Sequence, residues 1–222
     1  MCGRFTLVAE PEEIGEYFDL PSTPEFAPRY NIAPTQTVPV VLVEGSNAAR
    51  TLRFFRWGLI PSWAKDASIG ARMINARGET AAEKPAFRSA MKHRRCLIVA
   101  DGFYEWKKLP RGKQPMYIRM KEGGPFAFAG LWERWQSPDE GPIESCTIIT
   151  TIPNDLLRPI HDRMPVILPR ERYDVWLDPD QKKTELLTPL FAPCEARNME
   201  AFAVSTHVNR PSNDDSKCNE PV

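Results

Sequence analysis

Proline is spread along the whole of this chain of 222 residues, of which 22 are proline, about twice the usual share of roughly 5%. The prolines do not gather in one linker but stand between short apolar segments. Proline cannot donate a backbone hydrogen bond to a strand ladder, so it is confined to strand ends, sheet edges and tight turns. We therefore expect many rigid turns and strand ends.

Short segments rich in β-branched and aromatic residues, or alternating in polarity, predict strands. These segments are residues 38–43, 51–57, 96–100, 116–120, 126–130, 146–151, 166–168 and 201–205. Strands outnumber helices and do not alternate regularly with them, which argues against a doubly wound fold. We predict an α+β domain with a strongly curved, barrel-like, mostly antiparallel sheet and short flanking helices.

Four helices are expected beside the sheet. One starts near Pro11, with acidic residues in its first turn. Thr80 and Glu83 match a capping box, which predicts a helix running toward His93 and limited or bent by Pro85. Residues 171–177 and 183–190 predict two further short helices.

Nothing in the sequence divides the chain, which shows no internal repeat, low-complexity tract or break in composition. We interpret residues 1–222 as one domain with a polar tail, from about residue 211, that we expect to fray. A hydrophobic share of 42% excludes an extended disordered protein. No apolar run approaches the roughly 18 residues of a membrane-spanning helix. The N-terminus lacks the pattern of a secretory signal, so we expect a cytoplasmic protein.

The charge is balanced overall, with 29 basic and 29 acidic residues, but unevenly distributed. From Arg50 to Arg95 there are eleven basic residues against three acidic ones, together with Phe54, Phe55, Trp57 and Trp63. Cations for phosphates and rings for unpaired bases are typical of a groove for single-stranded nucleic acid. The same stretch also fits a salt-bridged surface whose aromatic residues lie in the core.

The five cysteines are scattered along the chain, at Cys2, Cys96, Cys146, Cys194 and Cys218. No two of them form a CxxC pair. This pattern is typical of buried thiols in a reducing compartment, and it predicts no structural zinc site.

Cys2 is chemically unusual because removal of Met1 would give it a free α-amine beside its thiol. The amine has a reference pKa of about 7.7–8.0 and the thiol one of about 8.5, so both are partly reactive near neutrality. The amine can condense with an aldehyde to an imine, and the thiol can then close a five-membered thiazolidine. Gly3 would let the backbone approach a substrate closely. The alternative is an ordinary cysteine that happens to stand at position two.

Other residues have the chemistry to assist such a reaction. His161 lies in a polar loop bounded by prolines and can move protons near neutrality. Glu105 stands between two aromatic residues, where desolvation would raise its pKa. Asn75 can orient a carbonyl or sugar oxygen, and Arg77 can bind a phosphate. A structural loop histidine and an exposed glutamate beside a turn are the alternatives.

Six motifs, in this order along the chain, resemble those of the SOS response-associated peptidase (SRAP) family. They are MCGRF at residues 1–5, RYNIAPTQ at 29–36, WGLIPSW at 57–63, NARxET at 75–80, DGFYEW at 101–106 and HDRMP at 161–165. Each motif alone is weak. Six in register, with cysteine at position two, are a strong signal that covers nearly the whole chain.

The resemblance implies a compact SRAP fold and a protein that senses abasic sites in single-stranded DNA and cross-links itself to them. It implies that Cys2 forms the thiazolidine, that Asn75 holds the reacting centre, and that Glu105 and His161 transfer protons. The implied DNA-binding residues are Arg4, Arg77 and Arg163 at phosphates and Asn31, Pro34, Trp63 and Trp106 along the DNA path.

The resemblance and the chemistry also set the expected partners. The partner is single-stranded DNA containing abasic sites, and no cofactor, metal or membrane is needed, because the nucleophile supplies the covalent chemistry. We expect a monomer that is nucleoid-associated when it is bound to DNA. The imine also allows β-elimination, which would be a weak lyase activity.

Two other functions use the same residues differently. A thiol peptidase would take Cys2 as nucleophile and His161 as base, with Glu105 or Asn75 orienting the histidine, and could remove Met1 from its own chain. A noncatalytic module would bind intact and abasic single strands equally. Blocking only the α-amine of Cys2 separates the first two functions, because a peptidase needs the thiol alone.

Overall fold

The computed structural model describes residues 2–45, 49–138 and 141–222. Its strands are β1 (Arg4–Leu7), β2 (Arg29–Ile32), β3 (Thr37–Leu42), β4 (Thr51–Trp57), β5 (Asn75–Arg77), β6 (Arg95–Ala100), β7 (Gly102–Lys108), β8 (Lys113–Met120), β9 (Phe126–Ser137), β10 (Gly141–Thr151), β11 (Met164–Pro165), β12 (Ile167–Leu168) and β13 (Met199–Ala203). Its α-helices are α1 (Pro11–Tyr17), α2 (Gly78–Ala81), α3 (Arg88–His93) and α4 (Tyr173–Leu177). The 3₁₀ helices are Ala67–Arg72, Arg170–Arg172, Thr184–Leu186, Thr188–Phe191, Ala196–Asn198, Thr206–Asn209 and Ser216–Cys218.

Five strands close into a barrel, in the order β10, β4, β3, β6 and β9, because β9 pairs back onto β10. Most of the ladders are antiparallel, and β10 makes parallel pairs with β4 and β5. The α+β fold with a barrel-like, mostly antiparallel sheet, predicted from the sequence, is confirmed.

A second sheet, in the order β13, β8, β7, β1 and β2, packs against the barrel. The ring of Phe5 on β1 lies 5.1 Å from that of Trp57 on β4 and 5.7 Å from that of Phe128 on β9, edge to face in both cases. All three side chains are fully buried. Burying each such ring stabilises the fold by roughly 1.5–3 kcal/mol, so the N-terminal strand is fastened to the barrel by its apolar face.

The predicted strands are all present, with some bounds extended. Residues 126–130 are the first part of β9, which continues to Ser137, and residues 146–151 are the last part of β10. The sequence did not predict β1, β2, β5, β7 or β11. These strands are short or carry polar residues, so their hydrophobic periodicity is weak.

Two helix predictions are wrong in detail. Thr80 does not cap a helix, because it lies inside α2, which ends at Ala81, and the next helix starts only at Arg88. Pro85 lies between these helices and cannot continue one, since it lacks a backbone donor. Residues 183–190 form two 3₁₀ turns, and Pro189 interrupts the donors that an α-helix would need. Within the described residues, no helix is both long enough and apolar enough to span a bilayer.

The tail after residue 211, expected to fray, packs against the second sheet as part of a C-terminal segment (residues 204–222). The carboxylate of Asp214 accepts hydrogen bonds from the backbone amides of Tyr30 at 2.6 Å and Asn31 at 2.8 Å, and from Nε of Arg29. Cys218 is fully buried. Asp214 thus accepts hydrogen bonds from backbone amides of β2, the edge strand of the second sheet, which would otherwise be left unpaired.

Replacing Asp214 tests this attachment. Asp214→Ala removes three charge-assisted hydrogen bonds, and we expect it to lower the free energy of unfolding by about 3 kcal/mol. Asp155→Ala is the matched control, because Asp155 is 83% exposed in its pair with Arg158, and we expect a change within about 0.5 kcal/mol. Urea unfolding measures both, and equal effects of the two substitutions would contradict the attachment.

Candidate active site

The antiparallel pairing of β1 with β7 brings the N-terminus beside Glu105. Arg4 lies opposite Tyr104, and Phe5 lies opposite Phe103. Cys2 precedes β1 and is fully buried, while Glu105 on β7 is only 2% exposed. Two residues that are 103 positions apart in the sequence therefore share one buried environment.

Glu105 is a buried acid. Burial raises the pKa of its carboxyl to about 7, because desolvation penalises the charged form. The predicted desolvation of this carboxyl is confirmed, and the alternative of an exposed glutamate beside a turn is wrong. A carboxyl with a pKa near neutrality can both donate and accept a proton under working conditions.

His161 faces this acid from the loop before β11. Its Nε2 lies 3.9 Å from Oε2 of Glu105, and its Nδ1 accepts a hydrogen bond of 3.0 Å from the backbone amide of Arg163. We infer from this bond that the neutral ring carries its proton on Nε2. Burial lowers the pKa of His161, which favours the neutral ring, while Oδ1 of Asp162, 2.9 Å from Nδ1, can pair with the protonated ring.

Asn75 connects the barrel to the N-terminus. Its Nδ2 donates a hydrogen bond of 2.8 Å to the backbone carbonyl of Cys2, and its Oδ1 is buried with no hydrogen-bond partner among the described residues. A buried acceptor without a donor costs about 1–3 kcal/mol. Such an atom, beside Cys2, is suited to accept a hydrogen bond from a substrate hydroxyl.

The position of Asn75 follows from the strands around it. β5 pairs in parallel with β10, with Asn75 opposite Ile148. Nε1 of the buried Trp57 donates to the carbonyl of Ile74 at 2.9 Å, directly before β5. The core of the barrel therefore fixes the residue that holds Cys2.

The Cys2 thiol is not activated as a thiolate. Burial raises its pKa well above the usual value, and the charge of nearby Glu105 raises it further. Its Sγ lies 3.8 Å from the carbonyl oxygen of Arg4. A Cys–His peptidase pair would need the opposite shift, since the thiolate is its nucleophile.

Arg4 and Asn31, both predicted to bind DNA, make hydrogen bonds within the protein. Nη1 of Arg4 donates 2.8 Å hydrogen bonds to Oδ1 of Asn31 and to the carbonyl of Val208. Asn31 is fully buried and donates to the carbonyls of Val208, Arg210 and Asn213. Arg4 and Asn31 therefore join β1 and β2 to the C-terminal segment through hydrogen bonds. Their contacts with DNA stay predictions.

Arg163 and Arg77 differ in their availability. Arg163 makes a two-pronged ion pair with Glu79, at 2.6 and 2.8 Å, and donates to the carbonyl of Thr150 at 2.6 Å. The sequence analysis did not predict this pair, whose members lie 84 positions apart. Arg77 is exposed, and its side chain makes no hydrogen bond or ion pair within the described ranges. Of the two, Arg77 is the cation that can bind a phosphate without losing another contact.

The remaining predicted DNA-path residues are Pro34, Trp63 and Trp106. Trp63 is 58% exposed, whereas Pro34 and Trp106 are half-buried. Pro34 occupies a tight turn in which Thr35 adopts a φ of 71°, a conformation rare outside glycine. Nε1 of Trp106 donates to Oδ1 of Asn209 at 2.8 Å.

The Trp63 loop is held at its base by two glycines. Gly58, with a φ of 124°, and Gly70 approach so closely that a Cβ on either would lie 2.5 Å from the carbonyl oxygen of the other. Only glycine fits both positions. This contact closes the loop that carries Trp63 from the end of β4 back toward Asn75.

The basic stretch from Arg50 to Arg95 is partly neutralised. Three of its arginines pair with carboxylates and a fourth donates to backbone carbonyls: Arg50 with Asp19 and Asp174, Arg53 with Glu44 and Glu144, Arg94 with Glu133, and the buried Arg95 with Met91, Lys92, Trp176 and Asp178. Phe55 and Trp57 lie in the core. These residues therefore match the alternative of a salt-bridged surface with aromatic residues in the core. The exposed Arg77 and Trp63 remain compatible with the predicted nucleic-acid groove.

Comparison with known proteins agrees with these observations. The model of the family described as SOS response associated peptidase (SRAP) matches residues 1–211. Abasic site processing protein YoqW of Bacillus subtilis is 50% identical over 217 residues, covering 96% of each chain. Abasic site processing protein HMCES of Xenopus tropicalis is 31% identical over 261 residues, covering 98% of this chain and 77% of that protein.

Solved structures share the fold. A crystal structure of a Bacteroides thetaiotaomicron protein superposes with a TM-score of 0.88 at 27% identity, and the match covers 100% of both chains. A Bordetella bronchiseptica protein gives a TM-score of 0.77 at 27% identity, covering 92% of this chain and 100% of that one.

The pH dependence of stability tests the buried acid. From its ordinary value of 4.5 up to about 7, the unfolded chain loses the Glu105 proton while the folded chain keeps it, so this residue makes stability fall as pH rises. Glu105→Gln cannot lose that proton. We expect the free energy of unfolding of Glu105→Gln to rise by up to about 3 kcal/mol relative to that of the wild type between pH 4.5 and about 7. Above that pH we expect no further rise.

Urea unfolding at closely spaced pH values measures this difference. Glu185→Gln changes an exposed carboxyl and serves as the control that should follow the wild type. A constant difference between Glu105→Gln and the wild type at every pH would show that Glu105 titrates normally.

Proposed function

The chain belongs to the SOS response-associated peptidase family, and on that premise we propose that it captures abasic sites in single-stranded DNA as a covalent adduct on Cys2. The relatives named abasic site processing proteins support an abasic site as the substrate. The observation that carries the proposal is the convergence of Asn75, Glu105 and His161 on the N-terminal cysteine.

The reaction proceeds from the ring-opened form of the abasic sugar, which has an aldehyde. Once Met1 has been removed, the α-amine of Cys2 attacks the aldehyde carbon, a C–N bond forms, and the oxygen leaves as water. The thiol then adds to the imine carbon, forming a C–S bond, and its proton passes to the nitrogen. The net change is the loss of one water molecule, and the product is a thiazolidine.

Glu105 supplies the proton transfers that these steps need. Because its pKa is about 7, the protonated and ionised forms are both well populated near neutrality. The acid can protonate the departing oxygen, and its conjugate base can take a proton from the amine or the thiol. Because the pKa of the Cys2 thiol is raised, its proton leaves only as the C–S bond forms, and Glu105 can relay that proton to the nitrogen. His161, with its proton on Nε2, can exchange protons with Glu105.

Asn75 positions the reacting groups. Its bond to the Cys2 carbonyl fixes the residue whose amine and thiol react, and its buried Oδ1 can accept a hydrogen bond from a sugar hydroxyl. Holding two reactants in one geometry lowers the entropic cost of their reaction. Arg77 and the exposed Trp63 can bind a phosphate and stack against an unpaired base.

The peptidase alternative is not favoured. The pKa of the Cys2 thiol is raised, not lowered, and the relatives are named for abasic-site processing. A noncatalytic module gives no role to the buried acid beside the N-terminal cysteine, whereas groups with strongly perturbed pKa values cluster at catalytic sites.

Separate removal of the thiol and of the amine tests the proposal. Cys2→Ala keeps the amine, and α-acetylation of the wild type keeps the thiol. We expect each change to abolish the stable adduct with an oligonucleotide carrying one abasic site, because ring closure needs both groups. Denaturing gel electrophoresis of protein whose intact mass shows the loss of Met1 provides the measurement.

Cys194→Ala is the matched control, because it removes a half-buried thiol from another part of the chain and should leave the adduct yield unchanged. An undiminished adduct with Cys2→Ala would refute the assignment of the nucleophile. An undiminished adduct with the acetylated protein would show a thiol-only reaction and would restore the peptidase-type chemistry.

The salt dependence of binding tests the phosphate contact of Arg77. If Arg77 neutralises one phosphate, Arg77→Ala should reduce the slope of log K against log salt by about 0.7 on single-stranded DNA. Arg197→Ala is the control, because Arg197 is 81% exposed and pairs with Glu195. Fluorescence anisotropy with an intact strand gives both slopes, and identical slopes for the two variants would exclude the contact.

A further inference from the structure

The C-terminal segment brings a histidine, an aspartate and a cysteine together. The ligand-type atoms of His207, Asp215 and Cys218 all lie within 4.8 Å of one another. Nε2 of His207 lies 3.1 Å from Oδ2 of Asp215. Cys218 is fully buried, whereas Asp215 is exposed, so the cluster reaches from the interior to the surface.

Two short helical turns orient the three side chains. Oγ of Ser205 accepts from the backbone amide of His207 at 3.2 Å, which caps the turn Thr206–Asn209. Oδ1 of Asp215 accepts from the backbone amide of Lys217 at 3.0 Å, which caps the turn Ser216–Cys218. Because Oδ1 is used by the cap, the other carboxylate oxygen faces the histidine ring.

Asn213 hydrogen-bonds to His207 and Cys218, the two less exposed residues of the cluster. Its Nδ2 lies 3.1 Å from Nδ1 of His207 and donates to the backbone carbonyl of the same residue at 2.8 Å. Its own carbonyl oxygen lies 3.3 Å from Sγ of Cys218. Because the Asn213 amide nitrogen donates to Nδ1, the neutral ring carries its proton on Nε2 and donates it to Asp215. A metal ion at Nε2 would take the place of that proton, with the Asn213 amide turned so that its oxygen accepts from Nδ1.

We infer that His207, Asp215 and Cys218 form a binding site for a divalent transition metal of the zinc class. Zn²⁺ binds imidazole nitrogen, carboxylate oxygen and thiolate sulfur in tetrahedral sites, often with water as the fourth ligand. Nitrogen and sulfur donors exclude Ca²⁺ and Mg²⁺ as the preferred ions, since these take oxygen ligands. Binding converts the Cys218 thiol to a thiolate and releases its proton to water.

The geometry is close to what such an ion requires. Bonds of about 2.0–2.3 Å place tetrahedral ligands roughly 3.3–3.8 Å apart, so atoms that lie within 4.8 Å of one another need to approach by at most about 1.5 Å. Asp215 is exposed and can make that movement. The cluster has one cysteine and wide spacing along the chain, so the sequence expectation of no zinc site, which rested on paired cysteines, did not consider it.

The site bears on stability and not on the covalent chemistry. Val208 and Asn209 follow His207 in the turn Thr206–Asn209, and they accept hydrogen bonds from Arg4 and Trp106. A metal ion bound at His207 and Cys218 fastens both ends of this part of the segment. It therefore strengthens the contact between the segment and β1, independently of the function proposed for Cys2.

Metal binding by the full chain tests the inference. Dialysis against Zn²⁺ should give one tightly bound ion per chain and raise the thermal midpoint by several degrees. Co²⁺ should give a thiolate-to-cobalt charge-transfer band. We expect Cys218→Ser to abolish that band and His207→Ala to weaken binding at least tenfold. Asp215→Asn, a change at an exposed position that preserves the fold, should also weaken binding at least tenfold.

Two controls decide where the metal binds. Cys194→Ser and Cys2→Ala should keep the band and the stoichiometry of one. Loss of the band in Cys2→Ala would place the metal at the N-terminal aminothiol and overturn the inference. It would also be overturned by failure of the wild type to bind Zn²⁺ at micromolar concentration, or by binding that survives both Cys218→Ser and Asp215→Asn.

Discussion

The pairing of β1 between β7 and β2 is the constraint on which the site depends. It places Arg4 opposite Tyr104 and so brings Cys2 beside the buried Glu105. The strand is too short to hold by its ladder alone, and it is fastened on both faces. Phe5 packs into the barrel, while Arg4 bonds to Asn31 and to the C-terminal segment.

Burial raises the pKa of both groups that share this environment, Glu105 and the Cys2 thiol, but the chemical consequence differs between them. It raises the pKa of Glu105 to about 7, which makes the carboxyl a useful acid and base, and it raises the pKa of the Cys2 thiol, which keeps that thiol protonated. A thiol that stays protonated until an imine forms beside it does not react indiscriminately. The same desolvation thus prepares the acid and restrains the nucleophile, as a selective aldehyde trap requires.

The strands of the barrel could be predicted from the sequence because their apolar, β-branched residues are continuous, as in residues 96–100. The strands that carry the site, β1, β5 and β7, were missed because polar residues interrupt their periodicity. Glu105 could be identified as desolvated from its aromatic neighbours, a local signal. The hydrogen-bond partners of Arg4 lie 27 to 205 positions away in the sequence, and those of Arg163 lie 13 to 84 positions away. No local sequence pattern indicates such contacts. The metal-type cluster was missed for the same reason, since His207 and Cys218 meet only when the segment folds.

Mass spectrometry of the adduct with abasic DNA tests the central claim most directly. The account predicts a mass equal to the protein without Met1, plus the oligonucleotide, minus one water, with the DNA remnant on the N-terminal peptide and no thiol there for iodoacetamide to alkylate. Resistance to borohydride would complete the result, because a thiazolidine has no C=N bond to reduce. A remnant on another residue, or an adduct whose Cys2 thiol is still alkylated, would contradict the account.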